Sequence, residues 1–490
     1  MAGIATLLCW LFIAVLLVRD CKRRKSVSVA VWIPMLMVLA FSSRTPAGWL
    51  SNGTNAVATG PTNAAPRSPV DQTFFAVTIA ASVIVASMRG VKWIKLLGAN
   101  IPLALFFFYF IASSLWSAYH ADSLIRALKD LGTTVPVVAV ILSEKDPAEA
   151  VRAVYVRCAC ILFPLSSLLI RYYGQFGREY DKSGGVSFTG VATQKNSFGE
   201  LLMVFSLVLI WDHLATRTAT RKWPWSGMRI DILALLLLGI WNLNVSQSKT
   251  SLLCFLIGLT LLVSSRWANS RMVGNVMLLT SLCLPFLVLL TDQFSSSMGF
   301  VLDALGRDDT FTGRAGIWQQ ITLQTVNPLI GAGYWNFWGG PGGRAIADAI
   351  KFDTPNAHNG YLDIYLDGGL IGVFLLACVL IIYGRRLIKH LPGDLFSRFK
   401  FIFLIIVIIH NLTESSFARP TVNWFTLVLV LIEFPVPKGQ FRPDAGPADN
   451  TVRRDLRPSK ATENHVTPRL TGNQGRTTRR QNVQGRITRS

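Results

Sequence analysis

The sequence predicts an all-α, polytopic integral membrane protein, on three observations. Of its 490 residues, 51% are hydrophobic and only 15% charged, too apolar a balance for an ordinary soluble chain. The apolar residues come in runs of about 15 to 22, the length a helix needs to cross a bilayer, rather than in the alternating ten-residue segments of a membrane barrel. Backbone amides in lipid must find partners within their own segment, so runs of this length read as helices.

In chain order the runs are 2–18, 27–42, 72–88, 96–116, 124–142, 153–170, 198–214, 230–245, 251–264, 272–291, 361–383, 400–411 and 421–434. They predict about 12 to 14 transmembrane helices. Residues 1–437 then form the membrane domain, with 292–360 as a large extracytoplasmic loop, and 438–490 form a tail. The tail is rich in Pro, Gly, Thr and Asn, carries 12 Lys or Arg against 4 acids, and has no hydrophobic periodicity. Such a segment reads as disordered and basic.

Sidedness follows from the connectors, since positive charge is retained in the cytoplasm. Arg19 to Lys25, Arg89 to Lys95, Arg217 to Arg229, Arg266 to Arg271 and Arg385 to Lys400 are the basic ones, and they alternate as one face requires. The longer connectors 43–71, 171–197 and 292–360 fall on the other side. The first run is followed by its basic cluster instead of preceded by it, and no small-residue cleavage site is evident. It reads as a first span with its N-terminus outside rather than as a signal peptide.

The net charge of +21 could point to nucleic acid, but it sits in the tail and at the cytoplasmic ends of runs, and no folded reading module is visible. Anionic lipid is the expected partner of the tail. Seven cysteines (Cys9, Cys21, Cys158, Cys160, Cys254, Cys283 and Cys378) lie in or beside apolar runs with no CxxC pair. Neither a zinc site nor a disulfide framework is indicated.

Chemistry concentrates in Thr312-Gly-Arg314-Ala-Gly-Ile-Trp318 and Asn356-Ala-His358-Asn359-Gly-Tyr-Leu-Asp363. These place a guanidinium and an imidazole on one long, water-exposed loop of an otherwise apolar chain. Among the other histidines, His213 and His390 fall on the cytoplasmic side, His465 in the tail, and His120 and His410 outside at helix ends. Gly331-Ala-Gly333 and Gly339-Gly340-Pro341-Gly342-Gly343 lack a nucleotide-binding pattern and read as hinges in a mobile loop. Trp335, Phe337 and Trp338 beside them suit either the headgroup level or stacking on sugar faces. Asp303, Asp308, Asp309 and Asp353 could offer hard oxygen ligands, but their spacing matches no known cation loop.

Several strings in order resemble the O-antigen ligase and polymerase superfamily of bacterial membrane glycosyltransferases. They are Leu115-Trp116-Ser117 with Ser123-Leu-Ile-Arg126, Gly190-Val-Ala-Thr-Gln-Lys195-Asn196-Ser-Phe-Gly199, Ser246-Gln-Ser248-Lys249-Thr250-Ser251, the Arg314 string, Asn327-Pro-Leu-Ile-Gly331-Ala-Gly333-Tyr-Trp-Asn-Phe-Trp338, the His358 string and Asn411-Leu-Thr-Glu414-Ser415. Lys195-Asn196, Ser248-Lys249-Thr250 and His358-Asn359-Gly360-Tyr361 look most like exopolysaccharide polymerases of the succinoglycan type. Many ligases carry Arg where Lys249 stands, and Lys is a point charge without the guanidinium fork.

The resemblance implies a glycosyltransferase C-like membrane fold. It also implies transfer of a glycan from undecaprenyl pyrophosphate to an acceptor glycan on the periplasmic side of the inner membrane. A chain-length regulator is a further implied partner, and no cofactor or metal is expected. The leaving diphosphate needs fixed cations beside lipid, for which Arg314, Lys249, Arg126 and Arg171 are candidates, with Lys195, Asn196 and Asn359 as further substrate-binding residues. Thr312 is expected to cap a helix starting near Gly313, whose first amides would face the anion together with Arg314. The alternative for Arg314 is a snorkelling residue on an interfacial helix.

His358, just before the run from Tyr361, is the expected base, kept neutral by the positive end of its helix. Its alternative is a helix-capping or headgroup histidine. Two rival functions keep part of this picture: a ligase to lipid A core or to protein side chains, and a lipid-linked glycan flippase. The flippase reading expects internal repeats and ionisable residues in mid-membrane, whereas Glu200, Asp231 and Glu433 sit at run ends and no repeat is evident.

Overall fold

Every apolar run read from the sequence is helical in the computed structural model, which describes residues 1–51, 68–180, 185–217, 223–265, 270–290, 309–350 and 354–435. The expected boundary at 437 and the tail lie outside the described residues. The first part of the chain forms α1 (Ala2–Arg23), α2 (Trp32–Ser42), α3 (Pro69–Met88), α4 (Trp93–Ala99), α5 (Ile101–Ala112), α6 (His120–Leu142) and α7 (Pro147–Tyr172). The middle forms α8 (Lys195–Thr216), α9 (Ile230–Ser246), α10 (Lys249–Ser264) and α11 (Arg271–Leu290). The last part forms α12 (Asp309–Thr322), α13 (Pro341–Ile350), α14 (Gly360–His390), α15 (Leu395–His410) and α16 (Val422–Leu431). The one sheet among the described residues is a hairpin of Arg178–Tyr180 against Val186–Phe188.

By length and composition, α1, α3, α7, α8 and α14 are long and apolar enough to cross a membrane. The run at 96–116 is not one straight helix: α4 and its continuation meet at 101°. The break falls at Asn100, whose amide donates to Leu96 and Glu433 carbonyls and accepts from Tyr383 Oη and Glu433 N. Pro102, in the first turn of α5, supplies no amide to continue the ladder.

Burial ranks the helices. Within their spanning windows 83% of α7 and 89% of α8 is buried, against 11% of α1. The central pair packs together, and α8 also meets α9, α10 and α16, while α15 lies against α10, α14 and α16. A helix apolar all round belongs inside such a bundle or against lipid.

Side chains of the basic connectors and of the adjoining helix ends form a buried ionic network. Arg24 donates to Asp20 (2.8 Å), Glu149 (2.6 Å) and Asp212 (2.6 Å), and the Arg24 and Asp212 side chains are 1% and 0% exposed. Arg157 joins through Asp20 at 2.9 Å and Arg229 approaches Asp212 at 3.5 Å. A charge in this setting is stable only with its partners. Changing Arg24 to Leu removes the cation that three carboxylates share and should cost about 3–5 kcal/mol, seen as a lower unfolding temperature of the purified protein. An unchanged unfolding temperature would contradict the burial.

A second feature places the loop that follows α12. Inside α14, Gly369 has φ 59° and ψ −162°, so the helix opens and exposes backbone groups. The segment from Pro328 to Gly333 fills the opening: Leu370 and Ile371 amides donate to Pro328 and Leu329 carbonyls, and Ala332 and Gly333 amides donate to Leu366 and Asp367 carbonyls. A Cβ on Gly369 would lie 2.3 Å from the Leu329 carbonyl carbon, and one on Gly331 2.5 Å from that of Asp367. The expectation that Gly331 and Gly333 act as hinges is therefore corrected: they form a fixed seam, because glycine lets two backbones touch. Gly369→Ala should separate that seam and lower the unfolding temperature of the purified protein.

Candidate active site

The His358 turn is built by its neighbours. Asn359 caps α14, its Oδ1 accepting from the Tyr361 and Leu362 amides at 3.0 and 3.1 Å. The Ala357 amide and Trp338 Nε1 both donate to Asp363 Oδ1, and Trp318 Nε1 of α12 donates to the Ala357 carbonyl. His358 itself takes a left-handed φ of 49°, and its amide donates to Asn356 Oδ1. A bulky residue in that region is uncommon and is held only by such surroundings.

Glu414 lies on the turn after α15. Asn411 shapes that turn, its Oδ1 accepting from the Ser416 and Phe417 amides and its Nδ2 donating to Ser416 Oγ. The Gly360 amide donates to the carbonyls of Asn411 and Glu414, which ties the two turns together. Thr250 and Thr413 share a 2.8 Å hydroxyl contact, so the start of α10 is tied in as well.

One carboxylate gathers the site. Arg314 donates to Glu414 Oε1 at 2.7 Å, Asn196 donates to Oε2 at 3.1 Å, and His358 Nδ1 stands 3.5 Å from Oε2. Burial alone would raise the pKa of Glu414, but the hydrogen bond with His358 and the Arg314 charge outweigh it and hold the group below the usual carboxylate value. It is an anion between a fixed cation and an imidazole.

A cavity of about 170 Å³ opens beside this cluster, lined among others by Asn196, Glu200, Trp335, His358, Glu414 and Arg419. Asn196 and the Asp212 of the ionic network are 212 − 196 = 16 residues apart on α8. At about 1.5 Å per residue that is about 24 Å, so the cavity and the network occupy opposite ends of the bundle.

Arg314 and His358, expected on one water-exposed loop, do come together, with His358 on the turn before α14 but Arg314 within a helix. Arg314 is 8% exposed and lies inside α12. Because α12 begins at Asp309, Gly313 is interior to the helix and the start expected at Thr312 is corrected. The described part of 292–360 also contains α13, and its Ile317, Ile321, Phe337, Trp338 and Ile346 form a second small core with Leu366 of α14. Phe337 and Trp338 are thus buried core residues rather than rings free to stack on sugars. Trp335 is part-exposed, with the Arg419 and Arg126 guanidinium carbons 4.3 and 5.3 Å from its ring centre, so cations engage it before any sugar arrives.

The other candidates divide. Asn196 joins the cluster directly, and Lys249 sits exposed at the first residue of α10, one residue from the Thr250 contact. Asn359 is occupied as a helix cap. Lys195 acts on Glu179 of the hairpin, Arg126 reaches Trp335, and Arg171 is exposed in the last turn of α7 away from the Glu414 contacts. Asp303, Asp308 and Asp353 lie outside the described residues, and among those described no three metal-ligating side chains converge. Sequence reasoning assigned no role to Glu414 or Arg419. Their signal was present: they are the only charged residues between Lys400 and Glu433.

Residues 232–377 match the O-antigen ligase family. Over that segment the chain is similar to O-antigen ligases. Over 239 residues it is 27% identical to the exopolysaccharide production protein ExoQ of Rhizobium meliloti (strain 1021), covering 47% of this chain and 54% of that protein. The chain thus spans about half the length of the curated relative it matches. The ligase-family segment contains Lys249, Arg314 and His358, whereas Asn196 and Glu414 lie outside it and meet it only through the fold.

Proposed function

We propose that this multi-pass protein is an inner-membrane glycosyltransferase. In this reading it transfers a glycan from undecaprenyl pyrophosphate to an acceptor glycan hydroxyl on the periplasmic side, polymerising an exopolysaccharide or O-antigen-like chain. The observation that carries the proposal is the meeting of His358 and Arg314 at Glu414, next to a cavity at one end of an apolar bundle. The end bearing the basic connectors and their network faces the cytoplasm in this reading, which leaves the cavity outside.

The chemistry follows from the side chains. The acceptor oxygen attacks the anomeric carbon while the bond from that carbon to the phosphate oxygen breaks on the opposite side. The configuration inverts, and undecaprenyl pyrophosphate departs. Glu414 accepts from His358 Nδ1, which leaves Nε2 to take the acceptor proton, and the carboxylate balances the imidazolium that forms. Arg314 and exposed Lys249 supply positive charge for the leaving diphosphate, a task done elsewhere by bound metal. Transfer by the purified protein should therefore be unchanged by excess EDTA, and a loss restored by magnesium would overturn the metal-independent reading.

The partners in this proposal are the lipid-linked glycan, the acceptor glycan, membrane lipid and a chain-length regulator. Polymer analysis of a deletion strain tests the function. Single repeat units retained on carrier lipid are expected; unattached long chains would instead establish the ligase that the matched family's description favours.

A further inference from the structure

We propose that the Arg419 wall of the cavity is the subsite for an uncharged sugar at the accepting end of the glycan, with Arg419 and Glu200 setting that specificity. The inference rests on the glycosyl-transfer reading. Arg419 lines the cavity with His358 and is 6% exposed. Its Nη2 donates to Asp367 at 3.0 Å and stands 3.9 Å from Asp363, while the guanidinium lies over Trp335. Its buried Nη1 has no hydrogen-bond partner. A buried N–H left without an acceptor is rare in a folded protein, and here it borders a cavity.

Charge decides what that N–H can receive. One guanidinium on this wall already faces two carboxylates, and the Glu200 carboxyl lines the same cavity. A phosphate or a uronic acid placed here would meet surplus negative charge. At Glu414 the single carboxylate is already matched by Arg314, and exposed Lys249, next to the Thr250–Thr413 contact, adds positive charge on that side. The diphosphate therefore belongs with Arg314, which does not line the cavity, and the Arg419 wall takes a neutral group.

A sugar hydroxyl fits because it both donates and accepts. Arg419 Nη1 offers the donor. Glu200 offers the acceptor: its Oε1 takes the Asn423 amide at 3.0 Å, and a carboxylate has about four acceptor positions. Such paired demands reject an analogue that cannot meet both.

The test uses the full chain in lipid nanodiscs. Lipid-linked repeat units extracted from cells lacking this protein serve as donor, and the oligosaccharide freed from the same lipid by mild acid serves as acceptor. Arg419→Lys and Glu200→Gln should each raise the KM for the free oligosaccharide about tenfold. Inhibition by inorganic diphosphate should stay within about twofold. If Arg419→Lys fails to fold, Glu200→Gln decides alone. Oxidising the primary hydroxyls of the oligosaccharide to carboxylates should abolish its use by the wild type, and Glu200→Gln should recover part of it. An unchanged KM, weakened diphosphate inhibition in step with KM, or equal use of the oxidised oligosaccharide would each overturn the proposal. Absence of any transfer by the wild type would instead defeat the glycosyl-transfer reading on which it stands.

Discussion

Replacing His358 by alanine should leave the protein folded in the membrane and reduce transfer by about 10²- to 10⁴-fold, the usual contribution of a positioned base. The ring is 21% exposed and packs no core, so its loss removes chemistry with little structural cost. The cap of α14 is unaffected, since Asn359 makes it. Polymer length and lipid-linked intermediates in a complemented deletion strain provide the measurement, with membrane abundance as control. Full-length polymer from His358→Ala at normal abundance would remove His358 from the mechanism. Arg314→Ala distinguishes the roles further. It should weaken inhibition by inorganic diphosphate, which the His358 change should leave intact.

The largest structural loss is expected at Glu414. Glu414→Ala removes the carboxylate that the buried Arg314 guanidinium and the Asn196 amide share, at a cost of about 3–5 kcal/mol. A double change, Arg314→Met with Glu414→Met, should recover most of that stability while staying inactive, because the stranded charge is gone. If the double variant is no more stable than Glu414→Ala, the pair is not the source of the loss. The pH dependence has a definite sign. A carboxylate whose folded value is depressed stabilises the fold above its ordinary value, and that contribution disappears as pH falls through the lowered one. Unfolding temperature should therefore decline on the acid side in the wild type, and less steeply in Glu414→Gln.

What could be read ahead of the structure was what depends on neighbours in sequence. Apolar run length located the helices outside 292–360, since a run's hydrophobicity is local, but not α13 within it. The bend at Asn100 was hidden because its partners, Glu433 and Tyr383, are distant. His358 and Arg314 stood out as polar types in an apolar chain, yet the carboxylate joining them is 56 and 100 residues away. A local cap signal at Thr312 was overridden by a helix that starts at Asp309, and glycines that look like hinges proved to be places of backbone contact. Two isolated charges, Glu414 and Arg419, could have been singled out by the cost of placing them between apolar helices.

The Arg24 network has a consequence for biogenesis. Two of the acids that neutralise Arg24 come from Glu149 and Asp212, 125 and 188 residues later in synthesis. Until α7 and α8 have left the ribosome, the guanidinium at the end of α1 has only Asp20 of its three final counterions. The first helix is thus committed late, and nascent chains halted before Asp212 are the ones that membrane quality control should clear fastest.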